Sequence, residues 1–263
     1  MNSALVAMNL ENAAAPSVPA ARTFAAYRAE ARYELVRTLR MPAFTIAFVV
    51  VPVVLYLFFG AVMPGSHANP QVAYHLFTGF ALTGIMGSGM FGFGMSIATE
   101  REQGLLTLKR SLPAPPLAFL VAKMCVALVL AVLIMLTMVV TATFNAAGPT
   151  VPQSLSVAGV LIPGVLPFCA IGLFIGTRVS AKAAAGFVNL CYLPMIYLSD
   201  MLIPLPGSMQ AIPQISPAYH LNQLALGAVG MPTQGSMLMH VAVLVVVAVV
   251  FTGLAVRRLA RVG

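Results

Sequence analysis

Four histidines have the widest chemical range of any side chains in this sequence, because an imidazole near neutral pH can bind a metal ion or exchange a proton. His67, His75 and His220 fall near one end of the predicted apolar segments, and His240 begins the last of these segments. Their spacing matches no metal-ligand motif, and no carboxylate within an apolar segment accompanies them. The sequence therefore favours neither a metal centre nor an enzyme active site.

The sequence also lacks the residues with which a transport protein uses ATP or an ion gradient as its energy source. It contains no Gly–Lys pair, so the loop that cradles nucleotide phosphates is absent. An ion-driven carrier usually keeps an ionisable group near the middle of the membrane, whereas Asp200 lies at the edge of its apolar segment. If ATP drives this protein, a separate chain must bind it, and we expect no cofactor in this chain.

The composition is that of an integral membrane protein. Hydrophobic residues make up 60% of the 263 residues and charged residues 8%. Six segments meet the length of about 20 apolar residues that crosses a bilayer, the fifth being the shortest. They are residues 44–62, 73–98, 118–144, 157–177, 183–199 and 237–256. We therefore predict an all-α integral membrane protein with six transmembrane helices.

The basic residues predict an orientation. All 14 Lys and Arg residues lie in four places along the chain. These places are before the first span, between the second and third spans or at their margin, between the fourth and fifth spans, and after the sixth span. Because basic loops face the cytoplasm, both termini are predicted to be cytoplasmic. The net charge of +8 then reflects loops that face anionic lipids rather than binding of nucleic acid.

Three regions are predicted along the chain. Residues 1–21 contain Glu11, Pro16 and Pro19 and no basic residue, which fits a disordered cytoplasmic tail better than a signal peptide. Residues 22–42 form a helix outside the bilayer core, and residues 43–263 form the six-helix transmembrane domain.

The helix at residues 22–42 is predicted to be amphipathic and to lie in the cytoplasmic membrane interface. Arg28 and Arg32 sit at the boundary of its two faces, where their stems can follow the membrane surface. One face holds Phe24, Tyr27, Ala31, Leu35 and Leu39, and the other holds Glu30, Glu34, Arg37 and Arg40. Pro42 then turns the chain into the first span. A solvated helical extension is the alternative.

Residues 98–116, ATEREQGLLTLKRSLPAPP, carry five charges between two apolar spans. Thr99 and Glu102 have capping-box spacing, which predicts a new helix here rather than a continuation of the second span. Leu105, Leu108 and Leu112 form an apolar stripe, and Pro113 ends the helix. The leucines either rest on lipid or fill a groove on a cytoplasmic partner. For a polar contact with that partner we expect Arg101, while Glu100 and Glu102 cap the helix or pair with Arg101.

Two further segments have unusual compositions. The second span contains five glycines, which predict either ordinary close packing or a helix that slides or bends during transport. These are Gly84, Gly87, Gly89, Gly92 and Gly94. Residues 199–236 are mostly apolar and rich in proline, which predicts short re-entrant or surface helices packed on the bundle.

Three stretches resemble the permease subunits of type-2 ATP-binding-cassette (ABC) exporters, and the similarity covers nearly everything after the N-terminal tail. They are ELVRTLRMP before the first span, EREQGLLTLKRSLPAPPLAFLVAK after the second, and LIPLPGSMQAIPQISPAYHLNQL before the last. The sequence departs from the family at Ser199 and Asp200, where a glycine is frequent, and at Leu226 or Gly227, where a basic residue is frequent.

The resemblance implies a pore of two six-span subunits, identical or different, in the bacterial inner membrane, with two ATPase subunits that bind ATP and Mg²⁺. Residues 100–112 would be the coupling helix seated on the ATPase. The outer segment would cap the pathway with Pro204, Pro206, Pro213, Pro217 and Tyr219. The cargo would be a hydrophobic or amphipathic drug, lipid or lipid-linked glycan. A secondary carrier or channel, or a membrane enzyme or assembly factor, are the alternatives.

Overall fold

The computed structural model describes residues 20–63, 69–111, 118–145, 147–199 and 213–262, and these residues form helices joined by short turns and no strand. The helices are α1 Ala20–Leu39, α2 Pro42–Val62, α3 Pro70–Glu102, α4 Leu105–Ser111, α5 Ala118–Ala142, α6 Val151–Leu161, α7 Val165–Gly176, α8 Ala181–Tyr197, α9 Pro217–Ala228 and α10 Met237–Val262, with one 3₁₀ turn at Pro213–Ile215.

Five stretches of the described chain are long and apolar enough to cross a membrane: α2, α3, α5, α6 with α7, and α10. Large apolar side chains on their outer faces are exposed, such as Phe58 on α2 and Val249 on α10. Such faces would be unfavourable in water and suit lipid, as expected for an all-α integral membrane protein. The remaining predicted span, the fifth at residues 183–199, corresponds to α8, which has 17 residues, and its crossing of the membrane stays a prediction.

The second span differs from its prediction. We expected a new helix to start at Thr99, but α3 continues through Glu102 over 33 residues. The Thr99 hydroxyl donates to the Met95 carbonyl at 2.8 Å within the same helix instead of capping a new one. The break comes at Gly104, whose φ of +70° suits a residue without a Cβ atom. The capping-box interpretation was therefore wrong.

The fourth span begins earlier than predicted and is interrupted. It starts at Val151, and residues 162–164 form a turn between α6 and α7. Pro163 has no N–H group for a helical hydrogen bond. A Cβ atom on Gly164 would lie 2.5 Å from Leu221 Cδ1, so the turn also allows α9 to approach the bundle.

Helix α3 is the centre of the bundle and is buried along most of its length against α2, α5, α7 and α8. Its predicted glycines face neighbouring helices: Gly84, Gly87 and Gly92 face α2, Gly89 faces α7, and Gly94 faces α7 and α8. Gly172 of α7 packs directly on the Met90 carbonyl of α3. The glycines thus serve close helix packing, and a sliding role stays a prediction.

Helix α1 packs on α5, and its orientation corrects the predicted faces. Glu34, assigned to the charged outer face, is only 3% exposed, whereas Leu39 and Phe24 of the apolar face are exposed. Leu35 is half-buried, and Arg28 and Arg32 are exposed at the surface. Part of the charged face therefore turns into the bundle, where it needs charged partners.

Candidate functional site

Four charged side chains from α1, α3 and α5 meet at one end of the bundle. Lys123 Nζ lies 2.7 Å from Glu100 Oε1 and 3.1 Å from Glu34 Oε1. Arg37 also forms an ion pair with Glu100, and its guanidinium lies 3.7 Å from Glu34 Oε1. We refer to Glu34, Arg37, Glu100 and Lys123 as the charge cluster. Its formal charge is zero when all four groups are ionised.

Three of the four residues of the charge cluster are shielded from solvent. Glu100 has no exposed surface, and Glu34 and Lys123 are 3% and 5% exposed. Burial by itself lowers the pKa of Arg37, but the hydrogen bond and negative charge of Glu100 outweigh it, so the pKa is raised. Buried charges are tolerated only when they are paired, so the cluster requires α1, α3 and α5 to stay together.

Sequence reasoning missed this cluster. Glu100 was expected to cap a helix or to pair with Arg101, but it points into the bundle towards Lys123. Lys123 was assigned to the margin between spans, although it lies inside α5, after five residues of that helix. A lysine within an apolar segment was the available signal, because such a residue needs an acidic partner.

Arg101 and Glu102 bind the turn between α7 and α8. The Arg101 guanidinium donates to the Thr177 and Val179 carbonyls, the second at 2.6 Å. Glu102 Oε1 accepts from the Ala181 backbone N–H at 3.0 Å, at the first residue of α8. A carboxylate is favourable there because a helix N-terminus carries partial positive charge. The expected contact of Arg101 with a partner chain stays a prediction, beside this internal one.

Helix α4 follows Gly104 and presents its leucines unequally. Leu106, which we did not single out, is 6% exposed and packs in the core, and Leu105 is half-buried. Leu108 is 59% exposed. Leu112 lies outside the described residues, so the structure describes two of the three residues of the predicted stripe. At the end of the bundle where α3 terminates, Leu108 is an apolar side chain open to the surroundings.

A cavity of about 180 Å³ lies beside the charge cluster, between α1, α2, α3 and α5. Glu34, Arg37 and Lys123 line one part of it, and aromatic side chains including Phe44 and Phe91 line another. Ser96 and Thr99 also line the cavity. It therefore combines a polar, hydrogen-bonding region with an apolar wall.

The predicted outer gate is described in part. Pro213 begins the 3₁₀ turn, Pro217 is the first residue of α9, and Tyr219 is buried at 3% exposure. Pro204 and Pro206 lie outside the described residues, as do residues 1–19 of the predicted tail. Within the described ranges no three His, Cys, Asp or Glu side chains come together in a group that could hold a metal ion.

Two comparisons with known proteins identify the family. The model of the ABC-2 type transporter family matches residues 25–230. A protein of Bacillus subtilis (strain 168) named "Putative transport permease YvfS" is 30% identical over 218 residues, which cover 80% of this chain and 88% of that protein. The matched range contains the charge cluster, α4 and the cavity. The chain belongs to the ABC-2 type transporter family and is an all-helical integral membrane transport permease.

Proposed function

We propose that this permease is the membrane-spanning subunit of an ATP-driven exporter and that a separate ATPase subunit docks on α4. The observation that carries the proposal is the exposed Leu108 on a short helix joined to the end of α3. An exposed leucine in a pocket on a partner gains about 1.5–3 kcal/mol from burial. The 263-residue sequence contains no phosphate-binding loop, so a separate subunit would bind the ATP.

The contacts around α4 support a path for the movement of the ATPase. Helix α4 packs on α3, and α3 runs through the bundle as one helix of 33 residues. The charge cluster joins the end of α3 to α1 and α5, while Arg101 and Glu102 join it to the turn before α8. A displacement of α4 would therefore reach four further helices through ion pairs and hydrogen bonds, and bias the bundle between two packings.

The cavity supports an amphipathic substrate. A polar head group would lie near Arg37, Ser96 and Thr99, and an apolar chain would lie against Phe44 and Phe91. A drug, a lipid or a lipid-linked glycan has this chemistry. A second permease subunit, identical or different, would complete the pathway, with two ATPase subunits below it and both termini of this chain in the cytoplasm of a bacterium.

The test changes Leu108 to Asp in the full chain, purified from its native membranes with the associated ATPase. We expect insertion and folding to be unchanged, because Leu108 is exposed, and ATPase recovery and ATP-dependent transport to fall at least tenfold. Ala260→Asp is the matched control, since Ala260 is exposed in the last turn of α10 and lies outside residues 100–112. Normal ATPase recovery and transport in Leu108→Asp would exclude docking through this residue.

A proton-driven carrier is the second candidate, because the charge cluster contains two buried carboxylates and one of them, Glu34, lines a cavity. Its four charges balance, which favours a structural role over a proton relay. Transport into vesicles driven by a pH gradient, without ATP or an ATPase, would support this second candidate and contradict the first.

A further inference from the structure

Two histidines from different helices meet at the end of the bundle opposite the charge cluster. His220 lies in α9 and His240 in the first turn of α10, and their Nδ1 atoms are 2.7 Å apart. His220 Nε2 lies 2.9 Å from the Gln214 carbonyl oxygen, and His240 Nε2 lies 2.8 Å from the Gln234 carbonyl oxygen. Both rings are buried, at 2% and 0% exposure.

The number of protons on the pair follows from these three contacts. A carbonyl oxygen only accepts a hydrogen bond, so each Nε2 must carry a proton. Both Nδ1 atoms would then hold lone pairs that repel each other at 2.7 Å, unless one of them also carries a proton. Three hydrogen bonds require three protons, whereas two neutral imidazoles have only two.

We propose that His220 and His240 form a proton-binding site that holds one proton between their Nδ1 atoms and carries a single positive charge. This site is independent of the proposed coupling to an ATPase. A metal ion is a weaker fit, because tetrahedral zinc places its nitrogen ligands farther apart than 2.7 Å and the described part of the chain offers no third ligand of the His, Cys, Asp or Glu type.

Other titratable groups surround the pair. The Tyr219 ring meets both imidazoles edge-on, at centroid distances of 5.5 Å and 6.1 Å. Among the helices packed on α9, α3 brings Tyr74 and His75 at this end of the bundle, α8 brings Tyr197, and α6 carries no titratable residue. The shared proton is therefore held next to aromatic and histidine groups, and no Asp or Glu lies in the described part of these elements at this end.

The site connects α9 to the last span. Gln223 Oε1 accepts from the Gln234 N–H at 3.1 Å, and Gly227 packs against Met237, so the pair adds to an existing contact between the two helices. A second proton would place two imidazolium ions at hydrogen-bonding distance, where like charges repel strongly. Acidification is thus expected to separate α9 from α10 at their histidine contact.

The surroundings of His220 oppose the binding of a second proton by the pair. Burial lowers the pKa of His220, the Gln214 carbonyl opposes this, and the nearby His240 lowers it further. The folded pair holds one proton, whereas the two histidines of the unfolded chain hold none well above the ordinary histidine pKa of about 6.5 and two well below it. The stabilising contribution of the pair is therefore largest near about pH 6.5. That contribution is lost as the pH falls below this value.

Nitrogen NMR of the full chain in lipid nanodiscs, with ¹⁵N-labelled histidine, tests the proton count. His220→Asn and His240→Asn assign the signals. At about pH 8, where an ordinary histidine is neutral, we expect three of the four ring nitrogens of the pair to carry protons. Two protonated nitrogens would overturn the proposal. A spectrum that changes with a chelator, together with one bound zinc or copper per chain, would also overturn it.

Thermal unfolding against pH supplies a second readout. In His220→Asn/His240→Asn, two amides can hydrogen-bond to each other without a charge. We expect the wild-type chain to lose several degrees of melting temperature between about pH 6.5 and 5, and the double variant to lose less than half as much. His75→Asn is the control and should keep the wild-type slope. An unchanged slope in the double variant would contradict the site.

Discussion

Replacement of Lys123 by Met tests the charge cluster most directly. The change removes the ammonium group that lies 2.7 Å from Glu100 and 3.1 Å from Glu34, while it keeps most of the side-chain volume. At an effective dielectric constant of about 20, each of these attractions is worth about 5–6 kcal/mol before desolvation is subtracted. The variant leaves two buried carboxylates with Arg37 as the remaining cation of the cluster.

The expected loss of stability is about 3–5 kcal/mol, because the removal of one partner from a buried ion pair leaves an uncompensated charge. For a chain of this size that corresponds to a fall in melting temperature of about 10 °C. Purified chain in detergent, followed by fluorescence-detected size exclusion after heating, measures this shift. Lys182→Met is the matched control, since Lys182 is exposed in the first turn of α8, and its melting temperature should stay within about 2 °C.

A double variant separates the ion pair from the loss of packing. Glu100→Gln/Lys123→Met removes one charge of each sign, so its cost should be at least about 2 kcal/mol smaller than the sum of the two single variants. The reasoning is refuted if Lys123→Met melts within 2 °C of the wild-type chain, or if the costs of the two single changes simply add.

Two further predictions concern the link after α3 and the orientation of the chain. Gly104→Ala should lower the free energy of unfolding by about 1–2 kcal/mol, because φ at Gly104 is +70°. Gly253→Ala is the control and should be neutral or slightly stabilising, since a Cβ atom would meet open space at both positions. Equal melting temperatures of the two variants would exclude backbone strain at Gly104. Lys182→Cys in a cysteine-free chain should react with an impermeant maleimide only after the cells are made permeable, because the basic loops are predicted to be cytoplasmic. Labelling in intact cells would show the opposite orientation.

Local patterns in the sequence were enough for the class of fold and most of the membrane segments. A transmembrane helix is recognised from the length and apolar character of one continuous stretch, which does not depend on the rest of the structure. Helices α2, α3, α5 and α10 therefore lie where the apolar segments predicted them. The three stretches that resemble the family together also named it, and the matched family model confirms the name.

The same local patterns failed where two interpretations depended on distant residues. Thr99 and Glu102 have the spacing of a capping box, but α3 continues because Thr99 bonds within the helix and Glu102 binds the Ala181 N–H. Glu34 follows the charged side of an amphipathic helix, but Lys123 on α5 provides an ion pair that lets it be buried. In both cases a tertiary contact replaced the local one.

The sequence by itself determined that this protein is a helical membrane permease of the ABC-2 type, since hydrophobicity, charge segregation and the family motifs are all properties of short stretches. Only the tertiary structure decided which charges and imidazoles meet. Glu34 and Lys123 are separated by 89 residues, Arg37 and Glu100 by 63, and His220 and His240 by 20. The two residues of each pair meet only when the helices pack, because a buried polar group pairs with whichever partner the neighbouring helix brings within reach.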